Sequence, residues 1–214
     1  MEKIAIYGAG GFGRETACLI QIINKITPRW DIVGFFDDGK EIGYKTEYGC
    51  VLGGINELNL YNKPLAIVIA IGSPKDVSNI VSNISNPLVT FPNIIAPGTI
   101  FLDVNNVTMG KGNLICTGCA FSCNVHIGDF NAFNGFIQVG HDTQIGSFNS
   151  IMPAVKISGE VKIGDRNFFG VSSMVLQQID IGNDTIIGAN SLILKRTKSG
   201  LTYLGNPATV ARYK

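Results

Sequence analysis

Charge is scarce in this chain: of 214 residues, 15% are Asp, Glu, Lys or Arg, and the formal net charge is +1. Binding to a polyanion needs a concentrated excess of cations, so the balance argues against a nucleic-acid or anionic membrane surface. Long apolar runs are missing as well. Hydrophobic residues make up 45% of the chain but come in short pulses, and no run approaches the ~20 residues that span a bilayer. The first residues, Met1-Glu2-Lys3-Ile4, enter a strand-like segment without a signal-peptide pattern, which points to a cytoplasmic protein. The five cysteines are an odd number without a secreted context, so free thiols are expected. Histidine occurs twice, as His126 and His141, which narrows any imidazole chemistry to two positions. The length is enough for one large domain or two small ones with a sizeable core.

What the chain does have is a rhythm. From Met109 to Ile193 an apolar residue returns at every sixth position, through Ile115, Phe121, Ile127, Phe133, Val139, Ile145 and onward. Fifteen hits in register at this composition arise by chance on the order of once in a hundred thousand trials. Glycine directly follows the repeated residue at eight positions, as in Ile127-Gly128 and Ile163-Gly164. Neither a helical period nor strand alternation produces this pattern. It predicts a hexapeptide-repeat parallel β-helix of about five coils, three hexads to a coil. Residues eighteen apart then stack with a spacing of about 4.8 Å, and flat outer faces favour a homo-oligomer.

The segment before the repeat reads differently. Lys3 to Tyr7 forms a buried strand, Gly8-Ala9-Gly10-Gly11-Phe12-Gly13 a glycine-rich turn, and Arg14 to Asn24 a helix. Strand, turn and helix in that order offer free N–H groups to a phosphate, the alternative being a tight turn with a structural role alone. Ile32 to Phe36 is a second strand, ending in Asp37-Asp38, whose carboxylates suit a ribose hydroxyl or a base. Pro64 to Gly72 is a third strand, followed by a helix over Asp76 to Ile84. About 90 residues hold one mononucleotide-binding half, too little for a dinucleotide such as NAD. Pro92, Pro97 and Gly98 mark the border, which gives a small α/β domain over 1–92 and the β-helix with its tail over 93–214.

His141 follows the repeat residue Val139 by two positions, which places it at an outer turn. Asp142 is next in sequence, Gly159 lies one coil above the histidine, and Glu160 one coil above the aspartate. An imidazole beside an acid and below a glycine N–H suits a general base, although a histidine in a turn is also an ordinary surface residue. Imidazoles as a class titrate near ~6.5 and accept protons at neutral pH. Two stacked carboxylates, Asp142 and Glu160, are expected to raise the pKa of one of the pair. The run Cys116, Cys119, Cys123, His126 has the look of a zinc site, but ligands three apart on a flat strand are about 10 Å apart and diverge. They cannot meet on one metal, so no metal is expected and the cysteines are read as packing residues. Lys195-Arg196-Thr197-Lys198 and a basic tail would suit phosphates, or would simply be a solvated terminus.

The hexad register, His141-Asp142 and the ending Gly205-Asn206-Pro207-Ala208 together resemble the left-handed β-helix acyltransferases. With Gly8 to Gly13 and Phe36-Asp37-Asp38 in front, the chain is similar over its whole length to bacterial sugar-nucleotide N-acetyltransferases and sialic-acid O-acetyltransferases. The resemblance implies a homotrimer with acetyl-CoA in the groove between neighbouring prisms and a nucleotide-linked amino sugar as acceptor. It implies His141 as base, Asp142 as its orienting acid and Asn134 within the site. Acetyl-CoA contacts fall on Ser150, Gly159, Val171 and Ala189. Nucleotide-sugar contacts fall on Gly10, Gly11, Phe12, Asp37, Asp38, Ala70, Ile71 and Gly72. O-acetylation of a sialic acid or another sugar hydroxyl, in polysaccharide biosynthesis, is the nearest alternative, and a non-catalytic binding protein a more distant one. Phe12 and Ser150 depart from the family, which often has histidine at both positions.

Overall fold

The computed structural model describes residues 1–211; the end of the basic tail, Arg212 and Lys214, lies outside them. The first ninety residues build one twisted sheet from β1 (Glu2–Tyr7), β2 (Trp30–Phe36), β3 (Lys45–Thr46), β4 (Gly49–Gly53), β5 (Leu65–Ile69) and β6 (Val89–Thr90). Strand order is β3-β4-β2-β1-β5-β6, and every pairing except the β3–β4 hairpin is parallel. Three helices cover it: α1 (Gly11–Ile26), α2 (Ile55–Asn59) and α3 (Pro74–Asn83). The three strands expected from sequence leave out β3, β4, α2 and the two-residue β6, because residues 40–63 are polar and glycine-punctuated and hold no long apolar pulse, and β6 is too short to show one. Strand β1 is buried from Ile4 to Tyr7 on both faces, as expected of a central parallel strand.

Helix α1 starts inside the glycine motif. Its cap residue is Gly10, which supplies no side-chain acceptor, and the first turn holds no acid. Gly13 is required by close approach, since a Cβ there would sit 1.8 Å from the Gly8 carbonyl oxygen. That contact brings the helix start down against the end of β1.

From Ile94 onward the chain winds as a triangular parallel β-helix with three sheets. The first face stacks Ile94–Ile95, Leu114–Ile115, Ala132–Phe133, Ser150–Ile151, Phe168–Phe169 and Ile186–Ile187. The second stacks Ile100–Phe101, Ala120–Phe121, Gln138–Val139, Lys156–Ile157, Met174–Val175 and Leu192–Ile193. The third stacks Thr108–Met109, His126–Ile127, Gln144–Ile145, Lys162–Ile163 and Asp180–Ile181. Five coils are complete and a sixth has two sides. The coil opens two sides earlier than the six-residue series. Ile95 and Phe101 pair with Ile115 and Phe121 across twenty positions rather than eighteen, because residues 102–107 hold a two-residue insertion that breaks the register.

Repeat residues fill the prism: Ile127, Ile145, Ile163 and Ile181 are each no more than 5% exposed. Burial of one such side chain contributes about 2 kcal/mol. A second inward position, four residues after each repeat residue, also points inside. There Asn113, Asn131, Asn149 and Asn167 form a ladder in which each side-chain oxygen accepts the backbone N–H of the residue one coil above, the last from Thr185. These carboxamides are admitted to the core because they satisfy backbone donors at a corner.

The α/β sheet and the coil share apolar packing. Ile94, Ala96 and Leu114 join Ile4, Ile6 and Ala9 in one cluster, and Phe130 joins Ile69 and Val77 in another. The chain ends in a hairpin, Thr202–Gly205 with Ala208–Val210, which adds to the first face. Among the described residues, no helix is long and apolar enough to cross a membrane.

Candidate active site

His141 stands at the corner between the second and third faces. Coil corners are made by a residue in the left-handed region, and at this one that residue is Asp142, at φ 57°. The turn pushes both side chains outward, each about half exposed. His141 Nδ1 lies 2.7 Å from Asp142 Oδ2, and Asp142 Oδ1 accepts a hydrogen bond from Asn124 Nδ2 at 2.6 Å. These two bonds, that from Asn124 first, hold the Asp142 carboxyl below the usual carboxylate range. Of the two stacked carboxylates, Asp142 is therefore not the one that is raised. Glu160 Oε2 takes its own amide donor, Gln178 Nε2 at 3.2 Å, so each carboxylate has separate compensation.

The imidazole packs beneath Gly159. A Cβ on that glycine would lie 2.6 Å from His141 Nε2 and 2.7 Å from Cε1. Gly159 is not among the positive-φ residues, so its backbone does not demand glycine; the ring does. Among the described residues no backbone hydrogen bond uses the Gly159 N–H, while the neighbouring Glu160 N–H donates to the His141 carbonyl at 2.8 Å. The result is an imidazole anchored at Nδ1 with Nε2 beside an unused amide. Chemically, that arrangement can take a proton at Nε2 and support negative charge on an adjacent oxygen.

The other residues expected at the site or at acetyl-CoA lie elsewhere on the same chain. Asn134 follows Phe133 on the first face and is half-buried; Val171 and Ala189 are exposed at the corner between the first and second faces. The full second face separates them from His141, a side of six residues that spans at most ~20 Å. Ser150 sits still further from that corner, 2% exposed on the first face, with its Oγ lacking a partner. It borders a cavity of about 10 Å³ that is also lined by Ile71, in the loop after β5, and by Pro74 and Val77 of α3. A single chain therefore holds His141 in one place and Asn134, Ser150, Val171 and Ala189 in another.

The nucleotide positions do converge. Strand order places the topological switch between β1 and β5, and open α/β sheets bind ligands outside the carboxyl ends of strands at that point. Gly10 and Gly11 follow β1, Asp37 and Asp38 follow β2, and Ala70, Ile71 and Gly72 follow β5. Space above Gly10, Gly11 and Gly72 is open. The two acids also brace the crevice itself: Asp37 accepts from Ala9 N–H at 2.7 Å and Gly39 N–H at 2.9 Å. Asp38 accepts from Ile55 N–H at 2.8 Å and from the Tyr7 hydroxyl. Burial, followed by that hydrogen bond, raises the Tyr7 phenol above its ordinary range. Phe12 is half-buried against the cluster that holds Ile94 and Leu114, so it fills the junction with the coil.

Among the described residues no group of three or more His, Cys, Asp or Glu side chains could hold a metal. His126 Nδ1 pairs with Thr108 Oγ1 at 2.6 Å. Cys119 is buried and Cys116 half-buried, as packing residues should be, whereas Cys123 is exposed at the corner directly below His141. Lys195 lies three coils above His141 in the same corner, about 14 Å higher at the strand spacing. Arg196 is next to it, 3.9 Å from Asp180. Asn124 went unread in the sequence although it lies one coil below Asp142; the stacking that located Glu160 above locates it too.

With an α/β sheet in front of a triangular coil that carries a paired histidine and aspartate at one corner, the chain resembles throughout the acetyl-CoA-dependent hexapeptide-repeat sugar acetyltransferases. Residues 3–84 match the family model of the PglD N-terminal domain. The acetyltransferase domain of PglB from Neisseria gonorrhoeae, in complex with acetyl coenzyme A, is 26% identical with a TM-score of 0.86, covering 98% of this chain and 99% of that one. WeeI from Acinetobacter baumannii is 26% identical with a TM-score of 0.87, covering 99% and 100%. PerB from Caulobacter crescentus, in complex with CoA and GDP-perosamine, shares the fold at 23% identity and a TM-score of 0.87, covering 99% and 98%. No curated protein matches the chain at a significant level.

Proposed function

We propose that the chain transfers the acetyl group of acetyl-CoA to the amino group of a nucleotide-linked amino sugar, of the UDP, dTDP or GDP class, with His141 as general base. Residues 1–92 act as the nucleotide-sugar-binding unit and 93–214 as the transferase coil. The observation that carries this reading is the imidazole held at Nδ1 by Asp142 with its Nε2 under Gly159. His141 Nε2 removes a proton from the acceptor amine as its nitrogen bonds to the thioester carbon. The Gly159 N–H donates to the oxygen that gains charge. The C–S bond then breaks, and the imidazolium returns the proton to the departing sulfur, leaving an amide and free CoA. Asp142 does not change protonation; it keeps Nδ1 protonated and balances the imidazolium. Lys195 and Arg196, higher on the same corner, suit the phosphates of CoA.

The split of the site supports a homotrimer. With three prisms packed through their second faces, the His141 corner of one subunit meets the Val171–Ala189 corner of the next. The exposed second face suits that role, as it carries Ile100, Leu176 and Leu194, each more than 40% exposed. Within one chain the nucleotide crevice adjoins Ser150 of the first face, so the sugar would extend toward Asn134 and reach the neighbour's base.

The test is thiol release from acetyl-CoA with a panel of UDP-, dTDP- and GDP-linked amino sugars and free sialic acid. Release with an amino sugar, reduced ~10²–10⁴-fold in His141→Ala with acetyl-CoA binding retained, is the expected result. Release with sialic acid alone would assign O-acetylation instead, and near-native turnover of His141→Ala would remove that residue from the chemistry.

A further inference from the structure

The corner that carries His141 holds a polar contact that the fold does not need. Asn124, one coil below, donates from Nδ2 to Asp142 Oδ1 at 2.6 Å, while Asp142 Oδ2 faces His141 Nδ1 at 2.7 Å. Both carboxylate oxygens are thus tied, one to the amide and one to the ring. Among the described residues the Asn124 side chain hydrogen-bonds nothing else. Its conformation does not account for its identity either. Asn124 has φ 56°, but the same left-handed corner position is filled by Phe130, Ala154, Arg166, Ser172 and Gln178 elsewhere in the coil, at φ 54–61°. A corner tolerates many side chains, and only this one has an imidazole–carboxylate pair above it.

We propose that Asn124 is a positioning residue that acts through Asp142, holding the carboxylate in the one orientation that keeps His141 Nδ1 protonated and Nε2 free. The inference rests on the reading of His141 as the base. A carboxylate released from Asn124 turns about its terminal bond toward water, because Asp142 is half exposed. The neutral imidazole then divides its proton between the two nitrogens, and the fraction protonated at Nε2 cannot accept a proton from the amine. The Asn124 bond is also the first cause of the depressed Asp142 carboxyl, consistent with a charge-assisted contact.

The experiment uses Asn124→Ala, which the coil accommodates, since Ala154 occupies an equivalent corner. We expect kcat to fall about tenfold while KM for acetyl-CoA and for the sugar stays within about twofold, as for loss of an interaction made in the transition state. In the Asp142→Asn background the same substitution should add nothing, because its route is already cut. A third readout needs no substrate: the ¹⁵N shifts of the neutral His141 ring should move from the Nδ1-protonated form to a mixture, with His126 as internal reference. An undiminished loss in the Asp142→Asn background, or an unchanged ring tautomer, would overturn the proposal. Absence of turnover with every acceptor would sink the acetyltransferase reading alone, and the ring spectra would still decide whether Asn124 positions the imidazole.

Discussion

Gly159→Ala isolates the geometry of the proposed base from its chemistry, since it leaves His141, Asp142 and the Gly159 amide in place. The added methyl would lie 2.6, 2.7 and 3.0 Å from Nε2, Cε1 and Cδ2 of His141. Ordinary carbon contacts are about 3.5–4.0 Å, so the ring must shift by about 1 Å. A displacement of that size costs about a hundredfold in rate when reacting atoms must be aligned. Stability should hardly change. The backbone at Gly159 is not in the left-handed region, and His141 is exposed enough to swing outward, so the change should stay within about 0.5 kcal/mol. The assay is thiol release under saturating acetyl-CoA, beside a thermal melt of each variant. We expect kcat down by about two orders of magnitude with an unchanged melting midpoint. Native turnover would refute the reasoning. So would an equal loss in a His141→Ala background, which would place the methyl's effect on the thioester rather than on the ring.

Asn149→Ala should destabilise the coil by about 2–4 kcal/mol, read as a shift in urea midpoint, because the buried Asn167 N–H loses its 2.8 Å acceptor and Asn131 loses a donor. A cost below about 1 kcal/mol would mean the ladder is incidental. Thiol reactivity provides a separate check near pH 8, where Cys50 and Cys123, both exposed, should react fast and Cys119 only on unfolding. Cys116 should stay silent well above that pH, since burial first and the neighbouring Cys119 next push its thiol up to about 12. The sign follows: the unfolded thiol ionises first, so the stability this group contributes falls as pH rises from about 9 toward 12. Labelling of Cys123 should abolish turnover, as it lies directly beneath His141; fast labelling with full activity would place the acceptor elsewhere.

The six-residue period determined the coil by itself, because a triangular turn of eighteen residues leaves a fixed spacing between inward side chains. It also determined that His141 and Asp142 stand at an outer turn below Gly159 and Glu160, for stacking is arithmetic once the period is known. The first coil was hidden because the insertion in 102–107 displaces Ile95 and Phe101 by two positions, which changes the phase without changing the fold. The asparagine ladder was hidden because a polar side chain is admitted to a core only by its bonds, and bonds across eighteen residues are not written in any single hexad.

Tertiary structure alone decided the rest. Whether two stacked carboxylates repel depends on which amides reach them, and Asn124 and Gln178 supply one each. Whether Ser150 meets solvent depends on the α/β sheet folding down over the first face, a contact between segments about eighty residues apart in the chain. Which positions share a corner fixes the division of the site, with His141 on one edge of the second face and Val171 and Ala189 on the other. Period and motif specify the parts of such a site. The folding of a flat face between them sets the distance, and so makes the proposed chemistry depend on what packs against that face.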